Sequence, residues 1–178
     1  MIVPEFIKNA CKVSSHVSVF ENTSKALAYI SEFMANGDYK SIAIPDLTDE
    51  ENKTFTEILS NQSIQLYKSS LRKIASNIQV GITKAQLGIA ETGTLVINSN
   101  NEDVRLASML SDIHFALLKT NTIVAKSSDI VNDLREMFKN QNNYTAFITG
   151  PSRTADIERV LSIGVHGPLE LYILLIEN

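Results

Sequence analysis

Hydrophobic positions along this chain follow two alternating rhythms, helical spacing and short unbroken apolar runs. Leu27, Ile30, Phe33 and Met34 fall on one face of a helix that Thr23 or Ser24 can cap and Gly37 can end. Ser41-Ile42-Ala43-Ile44 before Pro45 reads as a short buried strand. A more polar helix follows over 49–59, with Phe55, Ile58 and Leu59 turned inward. Strands are expected at 64–67, 80–83, 94–98, 114–118, 123–125, 145–148 and 171–176. Helices are expected at 71–78, at 104–110, from Ser127 or Ser128 to about Lys139, and from Ala155 onward. The segment 84–93 mixes helix formers with two glycines, and residues 1–17, with Pro4 and Ser14-Ser15-His16, read as a loosely held N-terminus.

Helices alternating with short, nearly all-apolar strands predict an α/β fold with a mainly parallel sheet and helices on both faces. In such sheets ligands bind in the crevice beyond the carboxyl ends of the strands. No internal repeat or composition shift divides residues 1–178, which are expected to form one domain.

The densest group of structural signals lies at 147–168. A strand pattern ends at Gly150-Pro151. Ser152, Arg153 and Thr154 follow, and Ile157, Val160 and Leu161 are then spaced as one helical face. Thr154 is the expected N-cap, with Asp156 and Glu158 in the first turn, where the helix dipole favours negative charge. A strand, a tight turn and a helix start can form an anion site, and Arg153 could add a planar fork for carboxylate or phosphate. The competing reading is a well-capped helix whose Arg153 makes a structural ion pair.

Composition narrows the function classes. Hydrophobic residues make up 44% of the chain and charged residues 20%, as in soluble globular proteins. A formal net charge of -4 argues against nucleic acid as a partner and against an anionic membrane surface. One cysteine, Cys11, excludes an intrachain disulfide and four-thiolate ligation of an iron-sulfur cluster. His16, His114 and His166 are too dispersed for a standard zinc spacing, so no metal is expected. No apolar run has the length of a membrane span and the start lacks a signal-peptide pattern, which together predict a cytoplasmic protein.

Three further clusters could carry chemistry. In Glu91-Thr92-Gly93-Thr94 a carboxylate beside two hydroxyls and a glycine could be a nucleophile or general base, or simply a surface glutamate on a turn. His114 opens a buried strand after Asp112; it could titrate or could hydrogen-bond within the fold, with Arg105 on the preceding helix as a possible charge partner. In Gly164-Val165-His166-Gly167-Pro168, Gly164 and Pro168 are explained as helix-stop signals, whereas His166 is not required by them. Dinucleotide, Walker-type and nucleophile-elbow fingerprints are absent.

The blocks GITKAQLGIAETGTLVI, LSDIHFALL and ITGPSRTADIERVLSIGVHGPLELYILLIE resemble, in this order, the LutC/YkgG group of the lactate-utilisation (LUD) domain family. The resemblance is strongest over 81–177. It implies a fold similar to the phosphosugar isomerase and CoA-transferase superfamily. It also implies a subunit without its own cofactor, with iron-sulfur clusters only in partner proteins that together oxidise L-lactate to pyruvate. The family motif falls on Glu91, Thr92, Gly93 and Thr94; on Arg105 and His114; on Gly150, Ser152, Arg153, Thr154, Asp156 and Glu158; and on His166 and Gly167. Glu91, His114 and His166 are thereby the catalytic candidates, and the remainder are candidates for holding a small carboxylate or phosphate. The family's Gly/Pro-rich connector after the TGTLV strand is replaced here by Ser99-Asn100-Asn101-Glu102-Asp103.

Three functional readings follow. One is a LutC-type subunit binding a carboxylate or a partner. Another is a stand-alone enzyme of phosphosugar isomerase or CoA-transferase type using Glu91, with the 150–154 loop as its phosphate site. The last is an interaction module without catalysis.

Overall fold

In the computed structural model, described over residues 1–139, 144–154, 162–163 and 167–177, the chain begins as a helix. In order the elements are α1 (Ile2–Lys12), β1 (His16–Phe20), α2 (Thr23–Asn36), β2 (Ser41–Ala43), α3 (Asp49–Ile58) and β3 (Gln65–Tyr67). A 3-10 segment at Leu71–Asn77 leads into β4 (Val80–Ala85), β5 (Leu87–Ile89), β6 (Thr94–Asn98), α4 (Glu102–Leu110) and β7 (Ile113–Lys119). Then come β8 (Ile123–Val124), α5 (Val131–Met137), β9 (Thr145–Ile148), the short pair β10 (Arg153–Thr154) and β11 (Ser162–Ile163), and β12 (Glu170–Ile176). Among the described residues no helix is long and apolar enough to cross a membrane.

Six strands form one sheet in the order β1-β12-β7-β4-β2-β3, and every pairing in it is parallel. This is the expected parallel α/β sheet. Its central strands are buried on both faces because each side of the pleat meets a different layer. Ile82, Phe115, Leu117, Leu174 and Ile176 pack with Leu27, Ile30, Met34 and Phe55 of α2 and α3. The alternate residues Ala116, Leu118, Leu171, Ile173 and Leu175 pack with Phe6 and Ala10 of α1, Leu95 and Ile97 of β6, and Val104 of α4.

The second face is covered by more than helices. β8, β5, β6 and β9 form a four-stranded sheet, antiparallel except for β5 and β8, that shares this core. The chain passes from β4 to β5 at Gln86, whose side-chain amide donates to the Lys84 carbonyl and accepts from the Asn98 N–H. Gly88 lies directly under Leu118 and Phe6, where a Cβ would stand 2.7 Å from Leu118 Cδ2. The segment 84–93, which mixes helix formers with two glycines, therefore holds the end of β4, the whole of β5 and the turn that leads into β6.

Other boundaries also differ. Residues 2–12 are not loose: Val3, Phe6, Ile7 and Ala10 make a helical stripe, with Phe6 and Ala10 fully buried. Pro4 is compatible with this helix because it occupies the first turn, where its missing N–H costs no helical bond. The α2 cap is Asn22, whose side chain accepts the Lys25 N–H at 3.0 Å, rather than Thr23 or Ser24. The helix expected at 71–78 is a 3-10 segment kinked at Ile74. The helix expected from Ser127 or Ser128 starts as a 3-10 turn, Ser127–Ile130, before α5. Ser162–Ile163, expected as the end of the helix beginning at Ala155, instead pairs antiparallel with Arg153–Thr154. Residues 155–161, with the intended helical face, and Gly164 lie outside the described residues.

Candidate functional site

Much of the sequence-predicted site gathers around the end of α1, on the amino side of β1 and β12. Gly93 has φ +65 and lies so close to the helix that a Cβ would stand 2.2 Å from Ala10 N and 2.5 Å from its Cα. Asn9 of α1 reaches across the same turn, its Nδ2 donating to the carbonyls of Ala90 at 2.8 Å and Glu91 at 3.2 Å. The hydroxyls of Thr92, Thr94 and Thr149 form a chain with spacings of 2.7 and 2.8 Å. That chain joins the Glu91–Thr94 turn to the loop carrying Gly150. Gly150, at φ +81, passes beside the Val13 carbonyl, which also accepts Arg153 Nη2 at 2.8 Å. Ser152 N–H donates to Pro168 O at 3.0 Å, and Gly167 faces the Ser152 side chain.

Glu91 is exposed, and its Oε1 accepts both the N–H and the hydroxyl of Ser127 at 2.7 Å. These bonds, the backbone one foremost, hold its carboxyl below the usual range and keep it ionised. His114 sits inside the sheet, and its Nε2 shares a 2.8 Å hydrogen bond with Thr83 Oγ1. Burial lowers its pKa to about 4, so the imidazole is neutral near pH 7. Arg105 stands at the other end of β6 from Thr94. Its Nη1 donates to the carbonyls of Ser99 and Asn100, and its guanidinium lies 4.7 Å from the centre of the Tyr144 ring. Thr154 is described only by its place in β10, and Asp156, Glu158 and His166 lie outside the described residues.

A separate cluster occupies the opposite, carboxyl end of the parallel sheet. There β4, β7 and β12 end around a crevice of about 420 Å³, with Ala85, Leu117, Leu118 and Ile176 among its lining. Thr48 caps α3 in a capping box: Glu51 N–H donates to Thr48 Oγ1, and Glu51 Oε2 accepts Thr48 N–H at 2.7 Å. The same Glu51 oxygen is the ion-pair partner of Lys84 Nζ, and the two side chains are only 20% and 28% exposed. Burial would raise the Glu51 pKa, but the bonds from Lys84 and Thr48 and the lysine charge outweigh it and hold the carboxyl low. Behind Lys84, its N–H donates to Asp46 Oδ2 at 2.9 Å; burial pushes the Asp46 carboxyl up despite that bond.

The family model described as the LUD domain matches residues 3–176. The chain belongs to the LUD domain family. Among curated relatives, it is 38% identical over 101 residues to an uncharacterized protein of Neisseria meningitidis, covering 57% of this chain and 43% of the relative. It is 32% identical over 109 residues to Lactate utilization protein C of Macrococcus caseolyticus, covering 60% of this chain and 47% of that protein. The chain thus spans less than half the length of these two relatives. A crystal structure of a DUF162 family protein from Deinococcus radiodurans superposes with a TM-score of 0.67 at 14% identity, covering 98% of this chain and 96% of that one. That likeness shows the shared fold.

This LUD domain therefore divides its polar residues between two ends. The structure brings together Thr92, Gly93, Thr94, Gly150, Ser152, Arg153 and Gly167, and leaves Arg105 and His114 in surroundings of their own. Sequence reasoning missed Lys84, Glu51, Asp46 and Lys119. The usable signal was positional: Lys84 and Lys119 are the charges closing two buried strands, at the end where such sheets hold ligands. Glu51 was visible only as the N3 residue of a Thr-x-x-Glu capping box.

Proposed function

We propose that this LUD domain serves lactate utilisation as a LutC-type subunit. In this role it works with iron-sulfur proteins that accept the two electrons released when L-lactate becomes pyruvate. The observation that carries this reading is the match to proteins named Lactate utilization protein C, such as that of Macrococcus caseolyticus at 32% identity. The residue inventory fits a subunit that leaves electron transfer to others, since these 178 residues offer one thiolate, from the exposed Cys11. A base for the lactate hydroxyl would act together with an acceptor held by a partner. Glu91, the nucleophile of the stand-alone enzyme reading, is committed to Ser127 and held ionised, which favours a turn-fixing role over an attacking one.

The test has two arms. A strain lacking the chain is grown on L-lactate as sole carbon source, and a tagged chain is recovered from lactate-grown cells for identification of co-purifying proteins. The expected result is a growth defect specific to lactate and recovery of a cysteine-rich iron-sulfur protein. Normal growth on lactate, with no such protein recovered, sinks the reading.

A further inference from the structure

The crevice at the carboxyl end of the sheet has the size and chemistry of a small-molecule site. Its volume of about 420 Å³ falls within the size range of small-molecule sites and exceeds what L-lactate would fill. Among the described residues the charged ones lining it are Lys84, Lys119 and Glu51, so cationic groups outnumber the carboxylate there. Lys84 Nζ gives a donor to Glu51 and has further N–H groups available, because an ammonium carries three. Lys119 closes β7 with its side chain exposed. Thr48 and Thr122 complete the set as acceptors. Thr48 Oγ1 accepts the Glu51 N–H and its hydroxyl bonds the Glu51 carboxylate, while Thr122 donates to the Lys119 carbonyl at 2.9 Å, so each oxygen keeps a lone pair to accept. Ammonium donors beside hydroxyl acceptors suit a ligand with hydroxyl groups, and an excess of ammonium groups suits an anion.

We propose that this crevice is a ligand site of the domain and binds a hydroxylated organic anion larger than lactate, its anionic group on Lys84 and Lys119 and its hydroxyls against Thr48 and Thr122. The ligand sits over the apolar floor of Leu117 and Ile176, and the Glu51 carboxylate fixes the direction of the Lys84 ammonium. The anionic group can be a carboxylate or a phosphate, since both accept from ammonium donors.

Isothermal titration calorimetry of the whole chain with gluconate, glucose 6-phosphate and L-lactate distinguishes these cases. At least one of the larger two should bind more tightly than L-lactate, and which one does so identifies the anionic group. Lys119→Met removes an exposed charge and should leave the fold intact while weakening that binding roughly tenfold or more. Lys84→Met should do the same, with its thermal midpoint measured to separate binding from folding. Lys12→Met, which removes an exposed charge at the end of α1 on the opposite side of the sheet, should bind as the unaltered chain does. No binding of either large anion overturns the proposal. So does L-lactate binding as tightly as both, or binding that survives Lys119→Met unchanged. These results are independent of the lactate-growth test, because a lactate role could stand with this crevice empty.

Discussion

His114 on β7 and Thr83 on β4 share a 2.8 Å hydrogen bond inside the parallel sheet, where both side chains are essentially inaccessible to water. Each therefore satisfies the other's polar group in surroundings that would penalise an unpaired one. The pairing also explains a histidine at the start of a buried strand. Near neutral pH it is an uncharged part of the core, with its pKa lowered to about 4 by burial.

That burial gives the fold a pH dependence of definite sign. The unfolded chain takes up a proton at His114 near pH 6.5, whereas the folded chain does so only around 4. Stability is complete well above 6.5 and falls as the pH drops through that window. From pH 7 to pH 5 this one group should remove about 2 kcal/mol. Urea unfolding at both pH values checks it, with His114→Gln as the comparison. An equal decline in that variant would show that other groups titrate.

Gly93 and α1 make a second expectation. Gly93→Ala would put a Cβ 2.2 Å from Ala10 N in a backbone conformation at φ +65. Overpacking and left-handed strain together should cost about 2–5 kcal/mol. The damage should be local first: hydrogen exchange in α1 should accelerate before that in β7 and β12. Uniform acceleration would mean that α1 and the sheet open as one unit.

Arg153 should behave differently from Gly93 despite lying in the same cluster. Its bond to Val13 O is made by an exposed side chain, so Arg153→Ala should cost about 1 kcal/mol or less. Thermal unfolding measures this. A loss of several kcal/mol would mean that the guanidinium anchors α1 far more firmly than one exposed hydrogen bond can.

These contrasts mark what was legible in the sequence. The parallel sheet was readable because Ile113–Leu118 and Leu171–Ile176 are nearly unbroken apolar runs, which only burial on both faces produces. The antiparallel sheet was not, because residues 84–93 carry no period of either kind; Gly88 is there to admit Leu118 and Phe6, a contact that no local pattern records. α1 was hidden by Pro4, read as a breaker when it is a first-turn residue. The motif residues could be picked out along the chain, but the gathering of several of them around α1 depends on long-range contacts such as Thr94 with Thr149. Lys84 and Glu51 lie far apart in sequence, and the order of β2, β4 and β7 in the sheet is what brings them to one crevice.

That pair supplies the last prediction. Glu51→Gln keeps an oxygen for the Thr48 N–H, so the α3 cap survives and chiefly the ion pair is lost. Lys84→Met instead leaves the mostly buried Glu51 carboxylate without its cation, the more damaging half of the exchange. Both side chains are less than a third exposed, so Glu51→Gln should cost about 1 kcal/mol and Lys84→Met somewhat more. A double-mutant cycle reads the coupling between them. Because the Glu51 pKa is held below its ordinary 4.5, the contribution is present above that pH and fades as the pH falls through the lower folded value. The difference between Glu51→Gln and the unaltered chain should therefore shrink in acid. A difference that stays constant from neutral pH to well below 4.5 would show that geometry at the α3 cap, rather than the charge on Glu51, stabilises this corner of the crevice.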